Sequence, residues 1–249
     1  MVQVRAFAAC GSALAAMLAV AGSALAQIPD EFKNLQVLSD EIGKRELVGL
    51  MREFSEALGV RCNHCHAGGS ADSLEGMDFA SDEPEPKKVA RAMWNMTREI
   101  NERLLPATGR RSLTRVRCVT CHRGITEPQS LESLLSVVIE KEGLTAAIER
   151  YGELRAEYYG TAAYDFGPGT LTALAEGLTQ KKDLDGALEL MRLNLRHHPE
   201  SPDVHLMLAQ LYSAKGDRAT ALASVERVLA LEPDNRWAKQ LLEQLRAPE

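Results

Sequence analysis

Cysteine is scarce in this chain: five residues in 249. One of them, Cys10, falls in an N-terminal stretch with the features of a secretion signal. Met1 to Arg5 is a short basic start, Ala6 to Val20 is apolar, and Ala24-Leu25-Ala26 is an A-x-A cleavage site, so the mature protein is expected to begin near Gln27. That apolar run is short, rich in small residues and ends in them, which favours export over a membrane anchor. No cysteine is left over for a structural disulfide, because the other four fall into two identical motifs. An excess of positive charge is missing too. Without the leader, 28 basic residues face 35 acidic ones, a balance of −7 that argues against nucleic acid as a partner. There is also no alternation of strands and helices of the kind that surrounds a thioredoxin-like redox pair.

What is present is Cys62-Asn63-His64-Cys65-His66 and, later, Cys118-Val119-Thr120-Cys121-His122. Both read C-x-x-C-H, the attachment pattern of a c-type haem. Two thiols three apart on one helical turn can each add to one porphyrin vinyl group, and the next residue then carries an imidazole under the iron. Cys62, Cys65, Cys118 and Cys121 are therefore the expected thioether positions for two covalent haems c, with His66 and His122 as proximal ligands. Four thiols in C-x-x-C pairs also spell a zinc site. The 52 residues between the pairs are long for one, and zinc gives no reason for a His after each second cysteine.

Each motif follows an amphipathic stretch bearing methionine. Phe32 to Leu58 reads as largely helical, with Leu47, Leu50, Met51, Phe54 and Leu58 on one stripe and Gly59 as its C-terminal cap. Ser81-Asp82-Glu83-Pro84 reads as the start of a second helix running to about Leu105, with Val89, Met93, Met96 and Ile100 on one face. A thioether in the sixth position of a haem iron raises its potential and blocks small ligands, whereas a methionine on an apolar stripe is ordinarily core packing. Met51 precedes the first motif. Met93 and Met96, three apart on the inward face before the second, are not separated by spacing. Met77 and His64 are weaker alternatives.

Lys87 to Arg123 holds ten basic residues against two acidic, a local +8 in an acidic chain. These are either solvated charges or partners for haem propionates and an acidic redox protein, with Arg110, Arg111, Arg115 and Arg117 as the foremost positions.

The run Met51-Arg52-Glu53-Phe54 with Gly59-Val60-Arg61-Cys62, then Phe79, Ser81-Asp82, Ala90-Arg91, Met93, Met96-Thr97-Arg98, Ile100-Asn101 and Val119-Thr120-Cys121-His122-Arg123-Gly124, resembles the cytochrome c subunit of photosynthetic reaction centres. The likeness covers roughly residues 30–128. It implies Met51 and Met93 as distal ligands, Met96 being the fallback, and single-electron transfer. That family typically carries four haems and this chain has two motifs, so a donor role to chlorophyll is not carried over.

From Leu131 the composition turns to Ala, Leu, Glu and Gln with a 34-residue period. Gly186-Ala187-Leu188 recurs as Thr220-Ala221-Leu222, Asp183 as Asp217, and His198-Pro199 as Glu232-Pro233. This is similar to the tetratricopeptide repeat. Clear units lie near 171–204 and 205–238, an earlier one is suggested by Glu142 to Tyr159, and Leu241 to Leu245 begins a closing helix. His197, His198 and His205 read as surface or packing residues.

The expectation is an all-α chain: a signal peptide over 1–26, a small multihaem cytochrome c domain over 27–130, and a tetratricopeptide-like domain over 131–249. Its expected work is periplasmic, or otherwise exported, electron transport between redox protein partners, with a protein or peptide bound by the repeats. Membrane association is expected only through lipidated Cys10 or a membrane complex. A two-haem peroxidase-like enzyme is the alternative, although no persuasive acid–base set accompanies the motifs, and a haem-containing assembly or sensor protein is a third reading.

Overall fold

The computed structural model describes residues 28–109 and 115–247. The stretch read as a signal peptide, with Cys10, and Arg110 and Arg111 lie outside the described residues. The described chain is all-helical, and tetratricopeptide-like helix pairs form its C-terminal part. No helix among the described residues is long and apolar enough to cross a membrane. Contacts group residues 28–44 with 61–92, and residues 45–60 with 93–247, so the two units interleave in sequence.

The first helix, α1, spans Lys44–Leu58 and is shorter than the sequence suggests. Residues 28–43 form turns instead. Asn34 and Gln36 hold positive φ angles of 64° and 51°, which helix cannot accommodate. Their side chains bond away from the local backbone: Asn34 Nδ2 donates to the Ala80 carbonyl at 2.6 Å, and Gln36 Nε2 to Asp82 Oδ2 at 3.0 Å. Polar residues that can satisfy the backbone elsewhere compete with helix in this way.

The second helix, α2, spans Glu85–Glu99 and is prolonged by a π turn over Ile100–Leu104 and a last turn over Leu105–Ala107. A single turn of helix at Cys118–His122, α3, carries the second motif.

Seven helices follow: α4 at Leu131–Glu142, α5 at Leu144–Tyr158, α6 at Pro168–Gln180, α7 at Leu184–His197, α8 at Pro202–Ala214, α9 at Arg218–Leu231 and α10 at Arg236–Arg246. The closing helix therefore begins five residues before Leu241. The 34-residue period has a physical counterpart at each step. Asp183 caps α7 and Asp217 caps α9, accepting from Gly186 N at 2.9 Å and Thr220 N at 3.1 Å. Ala175 and Ala209, Ala187 and Ala221, Met191 and Val225, and Val204 and Ala238 are fully buried pairs, each 34 apart. The alanines among them let neighbouring helices approach closely, and one apolar core runs from Leu131 to Leu211 with a second from Ala209 to Leu245.

Candidate functional site: the two C-x-x-C-H turns

Both motifs take the same local form. Arg61 and Arg117 are extended, with ψ of 169° and 167°, and one helical turn follows each. In the first motif the His66 N–H donates to the Cys62 carbonyl at 3.0 Å, and the Cys65 N–H to the same oxygen at 3.2 Å. In the second, the Thr120 hydroxyl accepts from the Arg117 backbone N–H at 3.0 Å, and Arg123 leaves the turn at φ 50°. The two thiols of each motif thus sit one turn apart, ahead of the imidazole.

The second imidazole is aimed by its backbone. His122 Nδ1 lies 3.0 Å from the Ile125 carbonyl oxygen. A carbonyl can only accept, so Nδ1 carries the proton and Nε2 keeps its lone pair for a metal. His66 differs. Its Nδ1 is buried without a hydrogen-bond partner, and its ring packs edge-on against Phe79 with centroids 5.1 Å apart. Burial first, then the Lys87 cation, push this imidazole below its ordinary pKa, outweighing the pull of the Phe79 carbonyl toward protonation. That favours the neutral imidazole, the form that ligates iron.

The thiols are all free. Burial pushes Cys65 and Cys118 above the ordinary thiol value, seconded by the neighbouring Cys62 thiol and the Glu53 carboxylate respectively. A redox-active C-x-x-C pair needs the reverse, a depressed thiol. Among the described residues no three or more His, Cys, Asp and Glu side chains gather as they would to hold a metal ion.

The strongest sign of a large apolar group is what the surrounding helices fail to bury. Across described residues 28–130 only Ala57 and Ile125 are buried. The stripe of α1 is only partly buried along Leu47, Leu50, Met51 and Phe54. On α2, Val89, Met93 and Met96 are 48%, 41% and 47% exposed, and Val119 inside the second motif is 43% exposed. An amphipathic helix gains its stability by covering its apolar face. Apolar helix faces left partly uncovered fit a haem-sized apolar group, and the donor set of thiols, imidazoles and thioethers fits haem iron.

Within the unit holding the second motif, α1 packs on α3. Arg117 Nε donates to Glu53 Oε1 at 2.8 Å, and the Gly124 N–H to the Ala57 carbonyl at 2.8 Å. Phe54 of α1 meets Trp94 of α2, centroids 5.6 Å apart. Asn101, in the π turn, binds the approach to the second motif twice, through Val116 O and Val116 N, both at 2.8 Å. Of the basic residues nominated for haem or partner, Arg117 is paired to Glu53, and Arg115 is exposed.

Met77 folds back on Gly69 in the loop after the first motif, and His64 is exposed. The repeat-region histidines are packing groups. His198 Nε2 meets the Phe166 carbonyl at 2.9 Å, His205 Nε2 the Pro199 carbonyl at 2.9 Å, and the His197 ring packs on Tyr151.

Two features escaped sequence reasoning. One is a carboxylate hub: Asp82 pairs with Arg91 Nη1 at 2.7 Å and Lys87 Nζ at 3.4 Å. Asp82 sits where a helix cap is expected, so its spacing concealed that use. The other is an aromatic pad at the α5–α6 connection, where Tyr151, Tyr159 and Tyr164 gather on Phe166 and the Arg155 guanidinium lies 3.9 Å over Tyr159. Four of the five tyrosines between 151 and 164 were its only sequence signal.

Residues 30–150 match the family described as photosynthetic reaction centre cytochrome C subunit, and residues 178–245 match the tetratricopeptide repeat. The resemblance read from the motifs therefore holds, and that cytochrome family implies c-type haem. No curated protein matches the chain. Solved structures similar to it are repeat domains. The second such domain of human RPAP3, in complex with an HSP70 peptide, is 16% identical, covering 47% of this chain and 93% of that one, with a TM-score of 0.35. The Cut9–Hcn1 hetero-tetramer of the APC/C is 21% identical, over 47% of this chain and 23% of that one, with a TM-score of 0.34. The first repeat domain of Spaghetti (RPAP3), bound to an HSP90 peptide, is 20% identical, over 46% and 86%, with a TM-score of 0.33.

Proposed function

We propose that the chain is an exported dihaem c-type cytochrome that carries single electrons between redox proteins, its repeat helices docking a partner protein or peptide. The observation that carries this reading is the occurrence of two C-x-x-C-H turns in a chain with two amphipathic helices whose apolar faces are only partly covered. A c-type haem, when bound, supplies a one-electron ferric/ferrous couple.

The residues divide the work as follows. Cys62 and Cys65, and Cys118 and Cys121, hold the two macrocycles by thioethers. His66 and His122 are the proximal ligands, the second oriented by Ile125. Met51 and Met93 are the distal ligands, with Met96 the alternative to Met93. Helix geometry supports the choice of Met93. On α2, Asn101 and Trp94 mark the face turned to the second motif and α1. Met93 lies roughly 80–100° from that face and Met96 about 140–160°, which favours Met93. Soft neutral thioethers on both irons favour the ferrous state and close both irons to small ligands, as a carrier requires.

Reductive titration with carbon monoxide challenge tests the reading. Two reversible one-electron waves and a ferrous protein inert to carbon monoxide support it. Rapid carbon monoxide binding with hydrogen peroxide turnover overturns it in favour of the enzyme.

A further inference from the structure

We propose that Asn101 is a positioning residue: it ties the helix of Met93 to the turn of His122 and so fixes the span across which both must meet one iron. The inference rests on the dihaem reading above, with Met93 as a ligand.

Asn101 spends its amide on two elements at once. Nδ2 donates to the Thr97 carbonyl at 3.0 Å, on its own helix, and to the Val116 carbonyl at 2.8 Å. Oδ1 accepts from the Val116 N–H at 2.8 Å. A primary amide carries two donors and an acceptor, so this one group satisfies both backbone polar atoms of Val116 while staying bonded to α2.

Each end of the clamp leads to a proposed ligand. On α2 the Thr97 hydroxyl donates to the Met93 carbonyl at 2.8 Å, so Met93, Thr97 and Asn101, each four apart, form one bonded row. Beyond Val116, the Arg117 N–H donates to the Thr120 hydroxyl at 3.0 Å and the Thr120 N–H to the Arg117 carbonyl at 2.9 Å, which fixes the start of α3. His122 ends that turn, its Nδ1 on the Ile125 carbonyl at 3.0 Å. The clamp falls in the π turn over Ile100–Leu104, where the Leu105 N–H reaches back to the Ile100 carbonyl. Such turns are rare and frequently sit at functional sites. Two ligands of one metal must be held to within about 0.5 Å, and a bidentate clamp between their elements does this.

A purely structural clamp makes a different prediction. Loosened packing admits water and lowers the potential whether or not Met93 is present. A positioning clamp acts through the thioether and has nothing to act on once the thioether is gone. In the full holoprotein, Asn101→Ala is expected to open one ferrous haem to carbon monoxide. It should also lower one wave by about tenfold in its reduction equilibrium constant, ~59 mV for one electron. Added to Met93→Ala, the same substitution should move that wave less than twofold. Continued exclusion of carbon monoxide, a shift under threefold, or a shift of twofold or more in the Met93→Ala background overturns the inference. If Asn101→Ala does not assemble, Asn101→Ser, which keeps a donor for its own helix but is too short for Val116, decides by the same criteria. Haem content per polypeptide is read in the same samples. Wild-type chain without haem, or Met93→Ala still closed to carbon monoxide, refutes the underlying reading. Wild-type haem with Met93→Ala open and Asn101→Ala closed refutes only the role of Asn101.

Discussion

The Gly124 N–H donates to the carbonyl of Ala57 across 2.8 Å, fastening the exit of the second motif to the last turn of α1. Gly59, two residues on, takes φ +68°, and a Cβ there would run into the Gly124 carbonyl. Gly59 thus allows two backbones to touch where a side chain at that position would part them. Gly59→Ala is expected to cost about 1–3 kcal/mol through left-handed strain and displaced backbone. Denaturant unfolding of the holoprotein checks this, and a change under about 0.5 kcal/mol would show that the two backbones do not meet in solution.

Met51→Ala and Met93→Ala should each open one iron. In each variant the ferrous protein gains carbon monoxide binding at one haem, the ferric methionine–iron charge-transfer band halves, and one wave falls in potential. Met96→Ala should leave all three readouts alone. Carbon monoxide binding in Met96→Ala and none in Met93→Ala would exchange their roles.

Asp82 gives a pH dependence with a definite sign. Hydrogen bonding from Asn34, then from the Arg91 and Lys87 cations, holds its carboxyl at about 2 rather than 3.8. A depressed carboxyl contributes stability that is complete above its unfolded value and is lost as pH falls through the folded one. Acid should therefore weaken the 28–44 and 78–91 segments between about pH 4 and pH 2, and Asp82→Asn should abolish that component. Amide exchange of these segments at stepped pH measures it. Identical acid profiles for the two proteins would remove Asp82 as the cause.

The capping aspartates of the repeats are equivalent by position and should be so by energy. Asp183→Ala and Asp217→Ala each leave a helix N-terminus without its side-chain acceptor, at a cost of about 0.5–2 kcal/mol. The check is thermal unfolding followed by far-ultraviolet circular dichroism. No loss of stability in either variant would contradict the capping geometry.

The two halves of the chain also differ in what they need in order to fold. With Cys62, Cys65, Cys118 and Cys121 all replaced by serine, α6 to α9 should stay protected from hydrogen exchange, because their core is made of their own side chains. Helices α1 and α2 should exchange fast. Equal protection throughout would mean that α1 and α2 do not depend on a bound group.

The sequence displayed what is local or periodic. The C-x-x-C-H turns, the stripes of α1 and α2 and the 34-residue alternation of buried alanines all follow from spacing, and each reappears in the structure. What it concealed depends on distance. Glu53 and Arg117 are 64 residues apart, and nothing in either neighbourhood marks them as partners. Asp82 resembles a helix cap but spends its carboxylate on two cations. Residues 32–43 looked helical because propensity does not register side chains that find bonds 46 residues away. The grouping of residues 45–60 with 93–247 is likewise a product of packing, which no boundary drawn along the chain reveals.

The most direct test of the central claim is the intact mass of the polypeptide from its native host under denaturing conditions. Two tetrapyrroles that stay attached after unfolding, and leave one by one when Cys62 with Cys65 or Cys118 with Cys121 is replaced, is the result expected. A colourless polypeptide of unmodified mass would contradict the account.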